Sequence, residues 1–166
     1  MTKLIALVDG SIYSHSVCDH AAWVAGRSGA AVELLHVLGR RETGSAPANL
    51  SGNITLGARS ALLEELSALD EQRAKLAQKR GRAILEDAKA SLESSGVGEV
   101  STKLRIGDFV ETVAEFEAEA DMVVVGKRGE AADFAKLHLG SNLERVVRSC
   151  QRPIFVASRA FKPIES

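Results

Sequence analysis

Between the apolar run Met122-Val123-Val124-Val125 and the segment Leu143-Glu144-Arg145 stands GKRGEAADFAKLHLGSN, residues 126–142. Its glycines, Gly126, Gly129 and Gly140, can adopt positive φ and let a ligand approach the backbone closely. Gly140-Ser141 opens an expected helix, whose unpaired N–H groups and positive dipole end attract an anion. Lys127 and Arg128 add cationic charge beside it. Together these residues could bind phosphate. Neither GxGxxG nor GxxxxGK followed by Ser or Thr is present, so dinucleotide-fold and P-loop mechanics do not transfer. A purely structural reading accounts for the same residues. Ser141-Asn142-Leu143-Glu144 has the capping-box form S-x-x-E, Gly126 can be a strand exit, and the two cations can be loop charges. The readings are partly compatible, because a capped helix still presents its first N–H groups.

A second candidate is Asp9-Gly10-Ser11, directly after the aliphatic run Leu4-Ile5-Ala6-Leu7-Val8. A carboxylate at a strand tip can accept from an adenine amino group or a ribose hydroxyl. It can equally cap the turn into the next helix. The acidic pair of a response regulator, a DxD phosphatase motif and a pyrophosphatase SGGxDS are all absent here. His15, His20, His36 and His138 show no metal-ligand spacing, and no GxSxG elbow occurs. His36, inside an expected strand, reads as a satisfied core or edge histidine. With no general base to assign, the sequence argues for binding more than for turnover, and no catalytic residue is assigned.

The elements that position these residues follow from hydrophobic patterning. Continuous aliphatic runs at 4–9, 31–38 and 121–126 read as strands buried on both faces. EVSTKLRIG at 99–107 alternates partly, and RPIFVAS at 152–158 reads as a last strand opening at a proline, a position suited to a strand start or sheet edge. Helices are expected after residue 14, with Ser14 as N-cap, Val17, Ala21, Val24 and Ala25 inward, and Gly29 as stop. Another follows Asp108, with Val110, Val113, Ala114 and Phe116 inward, and a third covers 141–150. From Ala58 to Ser95 the chain is helix-forming, with Leu62, Leu66, Leu69, Leu76, Ile84 and Leu92 near helical spacing. Arg73 and Arg80 interrupt the stripe and Gly81 weakens it, so a broken helix or two helices are expected. Arg73, Lys75, Lys79, Arg80 and Arg82 read as a solvated face balanced by acidic neighbours. Residues 39–57, rich in Gly, Ser, Ala and Asn, are a long mobile loop.

This β-α-β order implies one α/β domain: a doubly wound, parallel, Rossmann-like sheet with right-handed crossovers. Its ligand is expected outside the carboxyl ends of the strands, where the strand order reverses. The domain is expected over 1–158, with a tail at 159–166. Its 166 residues suit one core, built from aliphatic side chains since only 4% are aromatic. A net charge of -1, from 21 basic and 22 acidic residues, gives no drive towards nucleic acid or an anionic membrane. No run approaches a membrane span, Cys18 and Cys150 form no CxxC pair, and the start lacks signal-peptide character. A soluble, cytoplasmic protein with reduced thiols is expected.

In this order and at this length, LIALVDGS, LLHVL, DMVVVGKRG, LGSNLERVVRS and RPIFVAS resemble the universal stress protein family nearly end to end. The resemblance implies a five-stranded, adenine nucleotide α-hydrolase-like sheet and a homodimer through the last strand, 152–158. One branch of the family binds ATP through glycine, two residues, glycine, nine residues, then Gly-Ser or Gly-Thr. Carried over, Gly126, Gly129, Gly140 and Ser141 would hold the triphosphate and ribose, with Asn142 adding a backbone N–H. Asp9, in the turn with Gly10 and Ser11, and Val37 match the adenine and ribose positions. Val125 would line the pocket floor, with Lys127 and Arg128 beside the phosphates. The sequence departs from the pattern by having ten residues, not nine, between Gly129 and Gly140. Glu130 and Asp133 in that stretch call for a divalent ion such as Mg2+ beside a triphosphate. The functions implied are an ATP-binding regulatory module acting on a protein partner, a nucleotide-free dimeric adaptor, or a slow ATPase.

Overall fold

A computed structural model describes residues 2–11, 13–39, 56–126 and 141–157, without the side chains of 56–59, 141 and 142. The chain runs β1 (Lys3–Leu7), α1 (Tyr13–Ser28), β2 (Ala31–Leu38), α2 (Leu56–Ser94), β3 (Val100–Ile106), α3 (Phe109–Glu117), β4 (Met122–Gly126), α4 (Ser141–Ser149) and β5 (Ile154–Ala157). The five strands form one sheet in the order β3-β2-β1-β4-β5. Every pairing is parallel. This is the doubly wound sheet expected, with the order reversing between β1 and β4.

The aliphatic strands are buried because helices cover both faces. On one face Leu4, Ala6, Val8, Val32 and Leu34 pack with Val17, Ala21 and Ala25 of α1 and with Leu85, Ala88 and Leu92 of α2. On the other, Ile5, Leu7, Leu35, Val123 and Val125 pack with Val113 of α3 and with Leu143 and Val146 of α4. Alternate residues along each strand feed opposite faces, as the pleat requires. At the amino end of the sheet Asp121 clamps the chain start: its Oδ2 accepts from Thr2 N (2.8 Å), Thr2 Oγ1 (3.0 Å) and Lys3 N (3.1 Å). Buried Glu33 is neutralised there by Lys3 at 2.5 Å.

Several expectations need correction. The first strand ends at Leu7, not at Asp9, because Asp9 and the residues after it turn to enter α1. Ser14 is not the N-cap: it lies within the first turn of α1, and its N–H reaches back to the Ser11 carbonyl at 3.0 Å. In α3 Ala114 points to solvent, and the buried positions include Thr112 and Glu117. Glu117 is accommodated because it accepts from the Cys150 thiol and from Gln151 N.

Most plainly, α2 is one unbroken helix of 39 residues. Gly81 does not break it. A Cβ there would lie 2.9 Å from His36 Cδ2 and 2.9 Å from Leu104 Cδ1, so the missing side chain lets the helix settle onto β2 and β3. The leucine stripe divides at this point. Leu92 is fully buried, whereas Leu69 and Leu76 are exposed.

Candidate functional site

The reversal of strand order sets the carboxyl ends of β1 and β4 side by side, with Ala6 paired to Val124. Beyond β1, Asp9 closes an Asx turn, its Oδ1 accepting from Ser11 N at 2.9 Å. Ser14 locks that turn from the helix: its Oγ accepts from the N–H groups of Asp9 and Gly10, both at 3.1 Å, and donates to Asp9 Oδ1 at 3.2 Å. Tyr13 N adds a bond to Ser11 Oγ. The carboxylate is therefore fixed in orientation, and among the described residues Oδ1 alone is engaged.

Gly10 has φ +80°, and a Cβ on it would meet Ile84 Cδ1 at 2.8 Å and Arg80 Nη2 at 3.3 Å. Turn geometry and the approach of α2 thus explain this glycine. Exposed Arg80 is brought close to the turn by the same approach.

Val37, near the end of β2, and Val125, near the end of β4, both pack on the face covered by α3 and α4. They bracket the tip of β1 on that face. Gly126 ends β4, paired with Ala157 of β5. Ser141 and Asn142 are the first two residues of α4. Glu144 pairs forward with Arg148 at 2.7 Å. Lys127, Arg128, Gly129 and Gly140 lie outside the described residues.

The position of α4 is set by α3. Asp108 caps α3 by accepting from Glu111 N at 2.9 Å, and Arg145 of α4 meets its other oxygen at 3.4 Å. The bond from Glu111 N, with Arg145 beside it, lowers the Asp108 pKa below the ordinary carboxylate range. One side chain therefore caps a helix and ties the neighbouring helix alongside.

Below the strand ends His36 braces the β1 exit. It is buried, and its Nδ1–H donates to the Val8 carbonyl at 2.7 Å. Since a carbonyl only accepts, that bond fixes the proton on Nδ1. This matches a satisfied core histidine. Burial pushes the Cys18 thiol up to about 12, and burial with the Glu117 hydrogen bond raises that of Cys150 to about 11. Neither thiol is poised as a nucleophile. Among the described residues no group of three His, Cys, Asp or Glu could hold a metal ion. No described helix is long and apolar enough to cross a membrane.

Sequence reasoning missed the bracing role of Ser14 and the seating role of Gly81. The five-residue spacing from Asp9 to Ser14 was the available signal for the first.

Comparison with known proteins agrees with this architecture. Universal stress protein Slr1230 of Synechocystis is 33% identical over 165 residues, covering 99% of this chain; the chain spans 58% of that relative's length. A universal stress protein in complex with cAMP has a TM-score of 0.61 at 19% identity, over 96% of this chain and 98% of that one. The universal stress protein of Archaeoglobus fulgidus in complex with dAMP gives 0.59 at 17% identity, over 95% and 97%. At such identities the likeness establishes the fold alone. The sequence model of the universal stress protein family matches residues 1–158, and the chain belongs to that family.

Proposed function

We propose that this chain is a nucleotide-binding regulatory module that holds ATP at the carboxyl ends of β1 and β4. The observation that carries the reading is the reversal of strand order between those strands, with the fixed Asp9 carboxylate beyond one and Gly126 ending the other. Ligands of open α/β sheets bind at such a switch point. Two family members of the same fold are complexes with cAMP and dAMP, which supports an adenine nucleotide as the ligand class.

In this reading Val37 and Val125 flank the base and Asp9 accepts from adenine or ribose. Gly10 and Ser11 shape the turn beneath. Gly126, Lys127, Arg128 and Gly129 carry the phosphates towards Gly140, and Ser141 and Asn142 offer N–H groups at the start of α4, where the helix dipole favours an anion. The described residues fit the base end of such a ligand: an oriented carboxylate between two aliphatic walls. A divalent ion would enter with the triphosphate. No residue is assigned as a base for hydrolysis, so any ATPase rate would be slow. The module would work in the cytoplasm as a homodimer joined through β5, an edge strand whose Val156 is exposed, and would report nucleotide occupancy to a protein partner.

The test is a thermal melt with Mg-ATP. Nucleotide at ~100 times its dissociation constant stabilises by roughly 2.7 kcal/mol. Wild type should shift accordingly, and Gly140→Val, which blocks backbone approach to the phosphates, should not. An unmoved wild-type melt in millimolar Mg-ATP, with no nucleotide in the purified protein, rejects the reading.

One observation favours a second reading, a nucleotide-free adaptor. Asp9 Oδ1 and the conformation of Gly10 are both accounted for by the turn and by α2 without a ligand. That reading predicts that Ser141→Ala costs only cap stability, ~1 kcal/mol.

A further inference from the structure

Helix α2 is longer than the sheet requires. Between residues 60 and 80 no side chain is buried, and packing onto the sheet starts at Gly81. Leu69 and Leu76, at 59% and 66%, are the most exposed large hydrophobic side chains among the described residues. Both belong to a row at seven-residue spacing: Leu62, Leu69, Leu76, Ala83 and Ala90. Seven residues make close to two turns, so the row keeps to one side of the helix. Leu62 is half-buried and the other four are exposed. The row is bulky along the projecting half and small where the helix lies on the sheet.

Charge divides along the same helix. Residues 60–72 contain Glu64, Glu65, Asp70 and Glu71 and no Lys or Arg. Residues 73–82 contain Arg73, Lys75, Lys79, Arg80 and Arg82 and no Asp or Glu. The boundary falls between Gln72 and Arg73. The midpoint of Leu69 and Leu76 falls there too, and so does the midpoint of Leu62 and Ala83.

We propose that α2 is a self-association surface, on which two copies of this chain pair antiparallel about a two-fold axis near Gln72 and Arg73. Leu69 of one copy then lies beside Leu76 of the second, and Leu62 beside the small Ala83. Glu65 comes to the level of Arg80 of the second copy, and Asp70 to that of Lys75. A two-fold interface must be self-complementary, and here the size pattern and the charge pattern invert onto themselves about one point. A parallel pair would set acidic against acidic and basic against basic. An unrelated partner gives no reason for the two midpoints to coincide. The pairing covers the exposed side of a length of helix in which no described side chain is more than half-buried, and an isolated helix in water is marginal. It is separate from the β5 edge and rests on no nucleotide.

The test is the solution mass of the purified full chain by light scattering. Leu69→Lys/Leu76→Lys should halve the mass of the assembly while leaving the melting transition cooperative. In a Val156→Lys background, which removes any pairing through β5, the same double substitution should take a dimer to a monomer. Raised salt should shift the unsubstituted helix pair towards dissociation, because its end-to-end charge matching is screened. For geometry, Leu69→Cys and Leu76→Cys proteins, mixed under mild oxidation, should cross-link to each other, while neither cross-links to itself. An unchanged mass overturns the proposal, whether the helix is then covered by residues 40–55 of its own chain or by another protein. Self-cross-linking of Leu69→Cys overturns the antiparallel arrangement.

Discussion

Ser14 and Asp9 hold each other twice: Ser14 Oγ donates to Asp9 Oδ1 at 3.2 Å and accepts from the Asp9 N–H at 3.1 Å. The same oxygen also takes the Gly10 N–H, so one hydroxyl fixes both the backbone and the side chain at the tip of β1. Ser14→Ala removes all three bonds. The turn is partly solvated, so water replaces some of them, and the net cost should be about 1–2 kcal/mol. In a chain of this size that lowers Tm by several degrees. If Asp9 contacts the nucleotide, the ATP-induced rise in Tm should shrink in Ser14→Ala and vanish in Asp9→Ala. Unchanged stability of Ser14→Ala would show that the double bond does not persist in solution.

Gly81→Ala sets two effects against each other. Alanine in a helix interior is favoured over glycine by about 1 kcal/mol. The added Cβ, however, would stand 2.9 Å from both His36 Cδ2 and Leu104 Cδ1. His36 cannot swing aside without losing its 2.7 Å bond to the Val8 carbonyl, and overpacking a tight contact costs about 1–3 kcal/mol. The clash should win, giving net destabilisation of about 1 kcal/mol by urea unfolding. Gly26→Ala provides the control, since nothing lies within 4 Å of its Cβ position. It should be stabilising.

Those two glycines show what could and could not be read from the chain. Strand positions were legible because runs such as Leu4 to Val8 and Val123 to Val125 are aliphatic at every step, which only a sheet covered on both faces needs. The Asp108 cap was legible because its partner, Glu111 N, is local. Gly81 was misjudged because its role depends on His36 and Leu104, 45 and 23 residues away in sequence, and helical spacing carries no such information. Leu69 and Leu76 share the helical spacing of buried Leu92 and are nevertheless exposed. Periodicity identifies a face but not what covers it. At the site, Asp9, Val37, Val125 and Gly126 come to neighbouring strand ends because parallel strands of an alternating fold end together. The turn that orients Asp9 was only partly legible, since its Ser14 hydroxyl reaches backwards out of the helix.

Leu92→Ala and Leu76→Ala separate the two halves of α2. Leu92 is wholly buried with Leu85 and Ala88 against the sheet. Truncating a buried leucine leaves a cavity and costs about 2–5 kcal/mol. Leu76 is 66% exposed, so its truncation in dilute, dissociated protein should change stability by less than about 0.5 kcal/mol. Denaturant titration of both variants checks the contrast. Equal losses would mean that the projecting half of α2 is packed within the single chain.

Asp121 makes the amino end of the sheet sensitive to acid. The backbone N–H groups of Thr2 and Lys3, followed by the Thr2 hydroxyl, lower its pKa from 3.8 to about 2. A carboxyl whose folded pKa is depressed adds stability that is fully present above the unfolded value, near 3.8, and is lost as pH falls through the folded value, near 2. Asp121→Asn keeps a carbonyl acceptor but loses the charge. It should therefore be less stable than wild type at pH 7 and pH 5, and the gap should narrow between pH 4 and pH 2 as the wild-type carboxylate takes up its proton. Urea unfolding of both proteins across that range measures the gap directly. Since Asp121 N also donates to the Lys3 carbonyl at 2.9 Å, the backbone tie survives the substitution, and what changes with pH is the charge. A gap that stays constant from pH 7 to pH 2 would mean that Thr2 and Lys3 do not hold the ionised carboxylate in solution.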